Sequence, residues 1–142
     1  MQTGEISMNE KQEAVRVQLR TSLDEEGQIH CAAAHRIAER VGVEPLFVGK
    51  QANKLGIRIS HCQLGLFGYT PKKGMPGYRV VKKLDNRPDA ASASVRKAAE
   101  HGRIPCLTLW RLATQHGHTK RDMGNIAETL ELKITPCQLG CF

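Results

Sequence analysis

Apolar positions recur at helical intervals through the first third of the chain. Val15, Leu19 and Leu23 share one side of a predicted helix over 12–23, closed by the acidic run DEEG. A second helix is predicted from about His30 to Val41, where Cys31, Ala34, Ala38 and Val41 recur on one face and Gly42 supplies a C-terminal stop. Pro45 opens a third helix, in the first turn where a missing N–H costs nothing, and Val48, Ala52 and Leu55 form its inner stripe up to Gly56. The pattern then changes. Residues 57–67 and YRVVKK at 78–83 read as two strands joined by the turn-rich GYTPKKGMPG, which together make a β-hairpin or wing.

The same pattern returns 75 residues later. Residues 25–67 align with 100–142 without a gap, and 16 of the 43 positions are identical, among them Cys31 with Cys106, Gly49 with Gly124, and Cys62-Gln63-Leu64-Gly65 with Cys137-Gln138-Leu139-Gly140. A gapless match of this length makes the chain two copies of one unit. The expected organisation is a flexible N-terminus at 1–11, a first unit with a wing at 12–87, and a second unit with a truncated wing at 88–142. The fold class is mainly α with small β-hairpins.

Composition narrows the class. No apolar run approaches the roughly 20 residues of a membrane span, and the N-terminus MQTGEISMNEKQEA has no signal-peptide core, so a soluble cytoplasmic protein is expected, with no membrane partner. Five cysteines are an odd number, better read as reduced thiols than as a disulfide framework. With one Trp, two Tyr and three Phe, the core must come mainly from Ala, Leu, Ile and Val, which suits short helices packed closely.

The stretch GQIHCAAAHRIAERVGVEPLFVGKQANKLGI at 27–57 resembles the winged helix-turn-helix domains of bacterial regulators, of the LysR and ModE type. The residues that carry the resemblance are Gly27, Ile29, Ala33, Ala34, Ala38, Gly42, Val43, Pro45, Val48 and Leu55. It covers one unit directly and the second through the repeat, so the chain is expected to be a tandem pair of such units. The resemblance implies that the third helix enters the DNA major groove while the hairpin touches an adjacent groove or phosphates. Gly49 departs from the family, standing where a polar residue is usual, and no ligand-binding domain follows.

Charge supplies an independent reason to consider DNA, whose affinity for proteins rests largely on cations set against phosphates. Residues 49–87 carry nine Lys or Arg against one acid, a balance of +8, whereas 1–48 balance at −3 and 88–142 at +2. With Val48, Ala52 and Leu55 turned inward, Lys50, Gln51, Asn53 and Lys54 are expected to point outward as readers of base edges. Arg58, Lys72, Lys73, Arg79, Lys82 and Lys83 are the expected phosphate clamps. At the four reader positions the second copy has Asn125, Ile126, Glu128 and Thr129, with Glu131 close by, a surface that phosphate would not favour. The second unit therefore reads as a packing or dimerisation unit. A homodimer would set two basic units on successive half-sites of double-stranded DNA; the alternative is a monomer whose two copies pack on each other.

The thiols read as core. Cys31 and Cys106 lie on the inner stripe of the second helix of each unit, and on a strand Cys62 would share a face with Leu64 and Leu66, as Cys137 would with Leu139 and Cys141. On an extended strand Cys137 and Cys141 would be about 13 Å apart, too far to share a zinc ion. If PCQLGC were instead a helical turn, the two would be neighbours able to bind metal or sense oxidant, with His116 and His118 as further candidates. No metal or other cofactor is expected. No enzyme is expected either: the chain has no phosphate-binding glycine loop, no Gly-x-Ser-x-Gly elbow and no paired carboxylates on a predicted element. Two classes of function remain, a DNA-binding transcriptional regulator and a protein-interaction or accessory module on the same fold, possibly with a metal- or redox-responsive cysteine cluster.

Overall fold

A computed structural model describes residues 7–85 and 89–142. Ser7 starts the first helix, α1 (Met8–Thr21), its hydroxyl accepting the Glu10 N–H at 3.2 Å and so satisfying one of the free donors of the first turn. The helix thus begins inside the stretch expected to be a flexible N-terminus; residues 1–6 of that stretch lie outside the described residues. After a short turn come β1 (Ile29–His30), α2 (Cys31–Val41), α3 (Pro45–Lys54) and β2 (Ile59–Ser60). Gly42 ends α2 in the left-handed conformation, with φ 78°, and Pro45 sits in the first turn of α3, both as the pattern predicts.

The second unit repeats this order: α4 (Asp89–Ala98), β3 (Arg103–Ile104), α5 (Cys106–His116), α6 (Lys120–Thr129) and β4 (Lys133–Ile134). In each unit the two short strands pair in parallel, Ile29 with Ile59 and Ile104 with Ile134, at equivalent registers. The protein is thus mainly α, as expected, but its β-structure is two parallel ladders rather than hairpins. No helix among the described residues is long and apolar enough to cross a membrane.

The predicted wing is the main departure. Residues 61–85 contain no strand, and the backbone bonds between the two sides are few: Tyr69 N–H to Tyr78 O at 3.2 Å, and Val80 and Val81 N–H to the same Gly65 carbonyl. The reason is where the backbone donors of 78–84 go. Val80 and Val81 donate to one carbonyl, that of Gly65, while Lys82 and Leu84 donate to side chains of α6, so these donors do not form a regular ladder with a neighbouring strand.

Each unit completes the core of the other. Val15, Leu19, Ile29, Ala34, Ile37, Ala38, Val48 and Ala52 of the first unit enclose Leu139 of the second. Leu64 of the first unit is buried among Val95, Ile104, Leu109, Met123, Ile126 and Ala127 of the second. Both leucines sit in the duplicated Cys-Gln-Leu-Gly, which forms a turn closed by Gly65 N–H to Cys62 O at 2.9 Å and by Gly140 N–H to Cys137 O at 3.1 Å. The turn lies directly on the third helix of the opposite unit, where a Cβ at Gly49 would overlap the Leu139 carbonyl and a Cβ at Gly124 the Leu64 carbonyl. Glycine at position 49, anomalous for a DNA-reading helix, is explained by this close backbone approach.

Candidate nucleic-acid interface

The equivalent helices α3 and α6 differ in what lies over their outer faces. On α6, the segment 79–84 is laid as a strap. Asn125 Oδ1 accepts the Lys82 N–H at 3.0 Å and Thr129 Oγ1 accepts the Leu84 N–H at 2.8 Å. Glu128 pairs with Arg79 at 2.8 Å and Glu131 with Lys83 at 2.9 Å. The mutual hydrogen bond and attraction of that second pair raise the lysine and lower the carboxyl from their ordinary values, but both groups are fully exposed and the pair adds little to stability. On α3, the positions equivalent to Asn125, Glu128 and Thr129 are Lys50, Asn53 and Lys54, all exposed and without side-chain partners among the described residues.

Of the four expected readers, Gln51 has to be withdrawn. It is buried, and its Oε1 accepts the Arg16 Nε–H at 3.0 Å, so it ties α1 to α3 instead of facing a groove. Gln51 lies three residues after Val48 and four before Leu55, so it falls on the same side of the helix, and the buried stripe of α3 is wider than Val48, Ala52 and Leu55 alone. The equivalent Ile126 is buried too, which the repeat comparison could have signalled.

The six expected phosphate clamps fall into two groups. Arg58, Lys72 and Lys73 are exposed, make no ion pair among the described residues, and line a groove of about 1030 Å³ between the units together with Lys133, above a floor that includes Phe67 and Phe142. Arg79 also reaches this groove but is held by Glu128, and Lys83 is held by Glu131. Lys82 gives its backbone N–H to Asn125 and keeps its side chain exposed. Arg87, part of the basic count, lies outside the described residues. The cations are therefore not a wing: two are spent within the chain, and the free ones lie on α3, just after it, along the groove and, for Lys82, on the strap over α6.

Three thiols are core, as expected, whereas Cys137 is half-buried and Cys141 exposed, and Cys62, Cys137 and Cys141 lie on turns instead of strands. Cys31, Cys62 and Cys106 are buried, and burial pushes Cys31 up to about 12 and Cys106 up to about 11. Thiols this hard to ionise are inert as nucleophiles. Cys137 and Cys141 are not held apart on an extended strand, because the chain turns back between them, with Gly140 N–H to Cys137 O at 3.1 Å and Cys137 N–H to Phe142 O at 2.9 Å. Their mutual interaction lowers the Cys137 thiol from its ordinary value and raises that of Cys141. His116, a candidate in the alternative cysteine reading, instead bonds Ser94 Oγ at 2.9 Å, and His118 lies 3.7 Å from Asp122.

One grouping was passed over in the sequence. Asp24, His30 and His61 each bring a ligand atom within 4.8 Å of the others, although 37 residues separate the first from the last. Their signal lies in the repeat: the positions 75 residues on are Ala99, Pro105 and Pro136, none of which can ligate a metal. No protein-family model, no curated protein and no solved structure matches the chain.

Proposed function

We propose that the chain binds double-stranded DNA through the outer face of α3 and acts as a transcriptional regulator rather than an enzyme. Lys50, Asn53 and Lys54 contact the major groove in this reading, and Arg58, Lys72, Lys73 and Lys82 contact phosphates. The observation that carries it is the bare outer face of α3 beside the strapped face of α6. Equivalent surfaces of one duplicated unit differ in that one is neutralised within the chain and the other keeps its cations available. Arg79 and Lys83 leave the list of contacts, and Gln51 with them. The homodimer suggested by the sequence belongs to the same proposal, since two chains would offer two such helices to successive half-sites.

Affinity for random duplex DNA should fall steeply with salt, the logarithm of the binding constant declining by about 0.9 per phosphate contact for each unit of log salt. The double substitution Lys72→Ala/Lys73→Ala, which removes two phosphate contacts, should reduce that slope by about two, and Lys50→Ala/Lys54→Ala should weaken binding at least about tenfold at low salt. Unchanged binding would mean that another surface meets the DNA. Absence of binding even at low salt would favour the interaction module, in which a partner's extended segment lies across α3 as residues 79–84 lie across α6.

A further inference from the structure

Asp24 stands in the turn between α1 and β1 and is held in place before any ligand arrives. Its Oδ1 accepts the N–H groups of Glu26 at 2.9 Å and Gln28 at 3.0 Å, and this leaves Oδ2 to face His30 Nε2 at 3.0 Å. His30 ends β1, and His61 follows β2, so the parallel pairing of those strands sets the two imidazoles side by side, ring centroids 3.9 Å apart. His61 Nδ1 bonds the buried Ser60 hydroxyl at 3.0 Å, which orients the ring and leaves its Nε2 without a protein partner. The backbone of His61 is left-handed, with φ 50°, a conformation that costs a non-glycine residue about 1 kcal/mol or more and recurs where a side chain has to be aimed.

We propose that Asp24, His30 and His61 form a binding site for a divalent first-row metal ion, of the class represented by zinc. Two imidazoles and one carboxylate are an established donor set for such ions, and a partner hydrogen bond on the far nitrogen of a ligating imidazole is their usual support. The ligand atoms already lie within 4.8 Å of one another, and ligands at about 2.0–2.2 Å from an ion need only close by about an ångström or so. Three protein ligands leave a coordination position open. The two histidines border a cleft of about 560 Å³ that also contains Tyr69, His118, Lys120 and Arg121, so the open position has room for water or a small anion. The second copy acts as an internal control. It keeps the parallel ladder and the Cys-Gln-Leu-Gly turn but has Ala99, Pro105 and Pro136 at the three positions, so the fold does not need these side chains.

The site is independent of the DNA-binding reading and is tested without DNA. Metal-free, reduced protein is titrated with zinc by calorimetry and with cobalt(II) by visible absorption. One ion per chain is expected, with ligand-field bands of a low-coordinate nitrogen and oxygen site and no sulfur-to-cobalt charge-transfer band. Asp24→Ala and His61→Asn should each weaken binding at least about tenfold while the circular dichroism spectrum stays that of the wild type; Asn is chosen because it tolerates the left-handed backbone. Affinity unchanged in both variants, a thiolate charge-transfer band, or no binding at micromolar metal would overturn the proposal. The thiolate band would assign the ion to the cysteines instead.

Discussion

Helices α3 and α6 descend from one repeated pattern and have diverged mainly on the outer face. Their inner faces stay buried alike: Val48 and Met123, Ala52 and Ala127, and Gly49 and Gly124 occupy equivalent buried positions, each glycine beneath the opposite unit's turn, and the one polar exchange is Gln51 for Ile126. Their outer faces do not. Asn125, Glu128 and Thr129 hold the strap, whereas Lys50, Asn53 and Lys54 hold nothing within the described residues. Shared packing constrains the side that folds the protein, and the side free of that constraint is where the two copies acquired separate roles.

The largest effects should come from what the helices share. Gly49→Ala and Gly124→Ala each place a Cβ against a backbone carbonyl that cannot move without shifting a whole turn, so each should destabilise the protein by about 3 kcal/mol in urea unfolding. Leu64→Ala and Leu139→Ala, removing fully enclosed side chains from the exchanged turns, should each cost about 2–5 kcal/mol. A large loss for one member of either pair and none for the other would break the equivalence of the two halves.

Smaller effects should separate the outer faces. Asn125→Ala strands the Lys82 N–H and should cost about 1–2 kcal/mol, whereas Lys50→Ala at the equivalent site should change stability by less than about 0.5 kcal/mol. A comparable loss for Lys50→Ala would mean that α3 is not bare.

Acid tests the seam between the units. His35 of α2 lies against Trp110 of α5, with centroids 4.3 Å apart, and burial, with a smaller contribution from Lys120, lowers it to about 4. Its folded value lies below the unfolded value of about 6.5, so unfolding takes up a proton between those limits and stability falls as pH drops from about 6.5 to 4. Because the ring is only partly buried, the share due to His35 should be about 1 kcal/mol, and it should disappear in His35→Gln. Least of all, Arg79→Ala should cost under about 0.5 kcal/mol, since its pair with Glu128 is half exposed.

Much of the fold was legible in the chain because helices announce themselves locally. Pro45, Gly42 and the apolar stripes set α2 and α3 within a residue or so. The repeat then carried the same elements to α5 and α6. What was not legible is the exchange between units, because a Cys-Gln-Leu-Gly turn and a short strand both show an alternating Cys and Leu. Only a partner's helix decides between them. The strap had the same ambiguity: alternation in 78–83 reads as a strand, but Asn125 and Thr129, 43 and 45 residues further on, capture its donors. Gln51 failed for a related reason, since Arg16 of α1 claims a residue that the α3 pattern alone leaves outside. Asp24, His30 and His61 departed from the repeat, but their convergence was not legible, because strand register brings the two histidines together and the turn before β1 brings in Asp24.

The divergence of the two outer faces is tested most directly by amide chemical shifts during a titration with random duplex DNA at low salt. The account predicts perturbations concentrated on residues 50–58 and at Lys72, Lys73 and Lys82, with α6 itself unmoved. Perturbations centred on α6, or none anywhere in the chain, would contradict it.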